Sequence, residues 1–146
     1  MSGERDLETL LQGMRPEMQE GVFVFCTLPE GKQIPAHLKP VHIFHEREGT
    51  AFVVLRDQAE TTGLSYQFAS RLITLTVHSS LEAVGFLAAI TIPLAEVGIS
   101  VNAVSAFYHD HLFVPVERAE QALQLLQKLA GNDAMTRSSR PIWNPA

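Results

Sequence analysis

The chain has 146 residues, of which 46% are apolar and 18% charged, with a formal net charge of -5. That is the composition of a globular protein large enough for one domain, or for two small ones sharing a core. The acidic balance, without any Lys/Arg cluster, argues against nucleic acid and against anionic membrane surfaces; the single Cys26 excludes an intrachain disulfide and speaks against a thiolate zinc site.

Met1-Ser2-Gly3-Glu4-Arg5-Asp6 is too polar for a secretory signal. The longest apolar stretch, Ala83 to Val97, is interrupted by Gly85, Thr91, Pro93 and Glu96, and is too short and broken for a bilayer span. The expected compartment is cytoplasmic.

Apolar residues at 7, 10, 11 and 14 have helical spacing, and Ser2 or Asp6 is placed to cap that helix. Gly21 to Leu28 is rich in β-branched and aromatic residues and predicts a strand. Residues 29–40 hold Pro29, Gly31, Pro35 and Pro40 and predict a loop. Val41–Glu46 and Thr50–Leu55, around Arg47-Glu48-Gly49, predict a hairpin. Asp57 is the expected cap of a short helix ending at Gly63.

Arg71 to Val77 alternates cleanly, with Leu72, Thr74 and Thr76 on one face and Ile73, Leu75 and Val77 on the other. Ser79 or Ser80 is the expected cap of the next helix, whose apolar residues wrap more than one face and predict that it is largely buried. Pro93 should end or kink it. A strand over Ile99–Ala106, a turn at Tyr108-His109-Asp110, a strand over His111–Val116 and an amphipathic helix from Glu117 to Ala130 complete the pattern. The residues after Gly131, including Trp143, predict an irregular tail.

Strand, helix, strand, strand, helix is most of a ferredoxin-like unit, so the expected class is α+β, with antiparallel sheets covered by helices. The element order divides the chain into an N-terminal unit, residues 1–66, a C-terminal unit, residues 67–131, and the tail, residues 132–146.

Three strings carry a more specific likeness: Ser79-Ser80-Leu81-Glu82-Ala83-Val84-Gly85-Phe86, Ala95-Glu96-Val97-Gly98-Ile99-Ser100-Val101-Asn102, and Phe107-Tyr108-His109-Asp110-His111-Leu112-Phe113-Val114-Pro115. Together they resemble the uncharacterised bacterial proteins built from two ACT-like domains, from about Asp6 to Leu129. The resemblance implies a ligand, often an amino acid, held where two domains meet, by the loop between first strand and first helix and by the start of the second strand. It places that site at His78, Ser79, Ser80 and Leu81, with Ile99, Ser100 and Asn102. ACT ligand loops commonly carry an acidic residue and a glycine just before the helix; His78-Ser79-Ser80 stand there, with glycine only at Gly85. Free N–H groups at a helix start bind carboxylate without a charged side chain, and serine hydroxyls add bonds. The alternative at the same residues is that the serines merely cap the helix and Asn102 serves the sheet edge.

Other constellations weigh less. His109 and His111 have a metal-ligand spacing, but His42, His45 and His78 are distant in sequence and no third ligand is evident, so no metal is expected. Ser79 or Ser80 with His109 or His111 and Asp110 supplies the residue types of a hydrolytic triad, without its G-x-S-x-G elbow. No glycine-rich nucleotide motif is present, and no cofactor is expected. The resulting expectation is a non-catalytic regulatory protein that binds an amino acid or similar small anion, and pairs as a homodimer through its edge strands. A protein-interaction module without ligand and a His-dependent metal enzyme are the alternatives.

Overall fold

The computed structural model describes residues 3–131. The chain runs α1 (Leu7–Gly13), β1 (Pro16–Met18), β2 (Phe23–Pro29), β3 (His42–Glu46), β4 (Gly49–Leu55), α2 (Arg56–Thr62), β5 (Gln67–Leu75), α3 (Phe86–Glu96), β6 (Asn102–Ser105), β7 (Asp110–Pro115) and, after a 3-10 turn at Val116–Arg118, α4 (Ala119–Leu129). The class is α+β, as the alternation of patterns predicts.

All strands join one antiparallel sheet in the order β3-β4-β2-β5-β7-β6, with β1 also against β5. β5 connects the halves. Its Ser70 is level with Phe23 of β2 on one edge and with Pro115 of β7 on the other. Further along, Ile73 to Leu75 exchange the β2 edge for β1 and keep β7. A strand bonded on both edges and covered on both faces cannot tolerate polar side chains freely, and Leu72, Ile73, Thr74 and Leu75 are all buried.

One face of the sheet carries every helix. Ile73, Leu75, Leu112 and Val114 pack there against Leu10 of α1, Ile90 and Leu94 of α3 and Ala122 and Leu126 of α4. Val24, Cys26, Phe52 and Val54 pack against Ala59 of α2 and Leu38 of the preceding loop. Cys26 is a small buried apolar residue, and burial pushes its thiol pKa up. The opposite face is lined by Phe23, Val53, Leu72 and Phe113, and no helical residue belongs to this cluster. It stays buried because the sheet curls. Six strands laid flat at the usual spacing would separate β3 from β6 by about 24 Å, yet residues at the start of β3 and on β6 line one cavity. The register shift between Phe23 and Phe25, and the left-handed backbone of Phe68 (φ 59°), lie at the bend.

Local chemistry explains most ends. Asp6 caps α1: its Oδ2 accepts from the Thr9 amide (2.9 Å) and hydroxyl (2.8 Å), which also holds its carboxyl below the usual range. The β3–β4 hairpin needs glycine at Gly49, where a Cβ would run into the Leu28 carbonyl. Arg118 donates to the carbonyls of Val97 (2.8 Å) and Gly98 (3.4 Å), tying off the far end of α3.

Three expectations need correction, and one strand was not expected: β1 contains Pro16 and spans three residues, too short for a pattern to reveal. α2 is preceded by Leu55 without a side-chain cap, so Asp57 lies inside its first turn. α3 begins at Phe86, not after Ser80, and runs past Pro93 to Glu96; the proline falls in the last turn, where its missing N–H costs one bond. Nor is α3 largely buried: Phe86, Ile90 and Leu94 form one covered stripe, while Ile92 is 56% exposed. The expected tail lies outside the described residues.

Phe113 meets Phe25 edge-on at 5.3 Å and Phe23 at 6.1 Å under the curled face. Phe113→Ala should cost about 3–5 kcal/mol in urea unfolding; a loss below 1 kcal/mol would mean that the curled face contributes little.

Candidate functional site

The loop from Thr76 to Gly85 and the β6–β7 turn enclose a cavity of about 200 Å³ at the end of β5. Ser79, Ser80 and Leu81 line it from the loop, Gly85 to Ala88 from the start of α3, and Ser105, Ala106 and Asp110 from the hairpin.

Each wall follows from local sequence. Glu4, in the arm before α1, bridges to Ser79: its N–H donates to the His78 carbonyl (2.8 Å) and its carbonyl accepts from the Ser80 amide (2.7 Å). The Ser80 hydroxyl accepts from the Glu82 amide (3.0 Å), closing a local turn. The serines therefore shape the loop and do not cap α3. That place is taken by Gly85, whose positive φ (89°) suits glycine, and no side chain caps the helix. Gly85 to Ala88, the first turn of α3, line the cavity, which places it beside the positive end of the helix dipole.

Asp110 stands on the other wall. It is 6% exposed, and its carboxylate accepts from the Ser105 hydroxyl (2.5 Å) and the Ser79 hydroxyl (3.4 Å). Alternation on β7 decides its direction, because Asp110, Leu112 and Val114 share the helix-covered face. His109 and His111 go elsewhere. The His109 Nδ1–H donates to the Val77 carbonyl (3.3 Å), and His111 Nδ1 lies 3.0 Å from the Thr74 hydroxyl on the opposite face of the sheet. No imidazole sits between Ser79 and Asp110, so the triad arrangement is not formed. Among the described residues no three His, Cys, Asp or Glu side chains converge to hold a metal.

Of the seven expected ligand residues, the fold gathers Ser79, Ser80 and Leu81 into the cavity. His78 lies beside it, its ring 5.1 Å from that of Tyr108. Ile99 is buried under α3, while Ser100 and Asn102 are exposed. The register explains this separation. β6 runs parallel to β5, and Asn102 is level with Phe113 and Leu72, whereas Ser105 is level with Asp110 and Leu75 at the cavity end. The residues missed are Ser105, Asp110 and the Gly85–Ala88 turn; the β7 alternation was the available signal for Asp110.

The ACT domain family matches residues 2–71 and again residues 67–128. A Vibrio cholerae protein of unknown function, described as a possible transport protein, is 47% identical over 85% of this chain and 95% of its own, with a TM-score of 0.77. The chain belongs to the ACT domain family. It is an ACT pair, and both family matches claim residues 67–71, the first part of β5 that bonds both halves. An Agrobacterium tumefaciens protein has the same fold (TM-score 0.70, 21% identity, covering 80% of this chain and 89% of that one). So does the ligand-free regulatory subunit of aspartate kinase from Thermus thermophilus (TM-score 0.61, 12% identity, covering 82% and 97%). A comparison with curated proteins finds no match. No helix among the described residues of the ACT pair is long and apolar enough to cross a membrane.

Burial, helped by the neighbouring His109 and opposed by Asp110, lowers the pKa of His111 below 6.5. Its unfolded form therefore takes up a proton first, and stability contributed above pH 6.5 should fall as pH drops through the folded value. Denaturant unfolding of the ACT pair should show this slope, and His111→Gln should flatten it; an unchanged slope would place the titration elsewhere.

Proposed function

We propose that this ACT pair is a non-catalytic regulatory protein that binds an amino acid in the cavity at the start of α3. One observation supports this reading above the rest: the first turn of α3, which has no side-chain cap, and the buried Asp110 line the same cavity. That is the charge pattern of a zwitterion. The α-carboxylate would lie against the amides of the α3 first turn, and the ammonium group against Asp110. A volume of about 200 Å³ equals about six or seven waters at their liquid volume, room for a small or medium amino acid. On this reading Ser79, Ser80 and Leu81, which line the cavity, contact the ligand. The exposed Ser100 and Asn102 would reach a ligand only from a second copy, and Ile99 is held in the core. The regulatory role rests on family membership, and the aspartate kinase regulatory subunit shares the fold.

Around the mouth stand Val84 (84% exposed), Leu81 (68%), Phe107 and Tyr108 (both 59%). Such a rim favours a second copy closing the site, a homodimer, over a lone ligand-free interaction module.

A thermal-shift screen of the twenty amino acids against the full chain tests the ligand. Ligand at a hundred times its Kd stabilises by about 2.7 kcal/mol, a rise of several degrees. One or a few amino acids should give it, and Asp110→Asn should abolish it; no response at millimolar concentration rejects the reading. Val84→Glu should convert a dimer to monomer in light scattering without lowering the melting temperature. A wild-type monomer at all concentrations rejects the pairing.

A further inference from the structure

The face of the sheet away from the helices holds a second cavity, of about 120 Å³. Leu72 and Thr74 of β5, His111 and Phe113 of β7 and Val104 of β6 line it, and His42 of β3 reaches it from the opposite sheet edge. It exists because the sheet curls, and it shares Ala106 at its edge with the cavity on the helix side.

Its polar groups are ordered in a chain. The Gln19 carboxamide donates from Nε2 to Thr74 Oγ1 at 3.3 Å. Thr74 is only 1% exposed, so its own hydroxyl hydrogen needs an acceptor, and His111 Nδ1 lies 3.0 Å away. An Nδ1 that accepts leaves the imidazole hydrogen on Nε2. Among the described residues no group bonds that second nitrogen. The sequence of donors thus runs from Gln19 through Thr74 to His111, in a cavity whose lining is apolar except for Thr74, His111 and His42.

We infer that this cavity is a second binding site, taking a short-chain monocarboxylate whose carboxylate meets His111 and His42 and whose hydrocarbon end packs on Leu72, Val104 and Phe113. Size limits the ligand: a cavity of about 150 Å³ holds benzene, so the space takes about five or six non-hydrogen atoms. Imidazole N–H donors favour a carboxylate. Among the described residues, the titratable side chains of the lining are the imidazoles of His42 and His111, and no acid is among them. Asp110 and His109 flank His111 in its own strand and turn. Glu17, level with Thr74 on β1, is engaged by the Thr76 hydroxyl at 2.9 Å. The half-buried His111, whose pKa burial lowers, gains a proton most readily when an anion is bound beside it, so binding and proton uptake are coupled.

The test is a histidine-ring NMR titration of the full chain with 2-methylpropanoate, and with 2-methylpropan-1-ol as the neutral match in shape. The acid should shift the His111 resonances saturably and raise that ring's proton affinity about tenfold or more, while the alcohol leaves the affinity for protons unchanged. Val104→Phe, which fills the cavity, and His111→Gln should each reduce binding of the acid at least about tenfold by ligand-observed NMR, with both variants checked for a native melting transition. No saturable shift at millimolar acid overturns the proposal. An equal effect of the alcohol overturns the carboxylate class, and undiminished binding by both folded variants overturns the location.

Discussion

The pairing of β5 on both edges is the constraint on which the rest depends. A nine-residue strand that bonds β2 and then β1 on one side, and β7 on the other, makes two ACT units into one sheet. Unpaired backbone groups in so buried a strand would each cost about 1–3 kcal/mol. The two halves are therefore bound together by the same bonds that hold each half. Either unit alone would expose an edge and strip one face of β5.

From that strand the two cavities follow. Leu75 ends β5 level with Asp110 and Ser105, and the chain must leave the sheet there to begin α3. The departure opens a space between helix start and hairpin turn, which the Glu4 bridge holds in shape from outside. On the other face, Leu72 and Thr74 alternate with the residues under the helices, and the curl brings β3 and β6 over them. One alternation thus gives a cavity on each face of the sheet, with Ala106 at the edge of both. Asp110 and His111, adjacent in sequence, point into different ones.

Much of this was legible without coordinates. The alternation from Leu72 to Leu75, the hairpin around Gly49 and the amphipathic last helix are local patterns; the hairpin and the helix formed near their expected bounds, while the strand expected over Arg71–Val77 runs from Gln67 to Leu75. The strings around Ser79, Gly98 and Tyr108 pointed to the ACT family. The start of α3 was misplaced because serines are strong helix caps in isolation, and nothing near them in sequence says that a distant Glu4 will claim their backbone. β1 was missed because three residues carry no period.

The sequence by itself determined the class of the fold, the order of the elements other than β1, and the family, because these depend on periodicity and on short strings read within one element. Only the tertiary structure decided that one strand joins both halves, that Gly85 stands at the cap of an α3 beginning at Phe86, and that Asp110 lines the cavity with the start of α3 while Asn102 does not. Those outcomes depend on register between strands far apart in the chain, and a shift of one residue in register reverses which face every side chain meets.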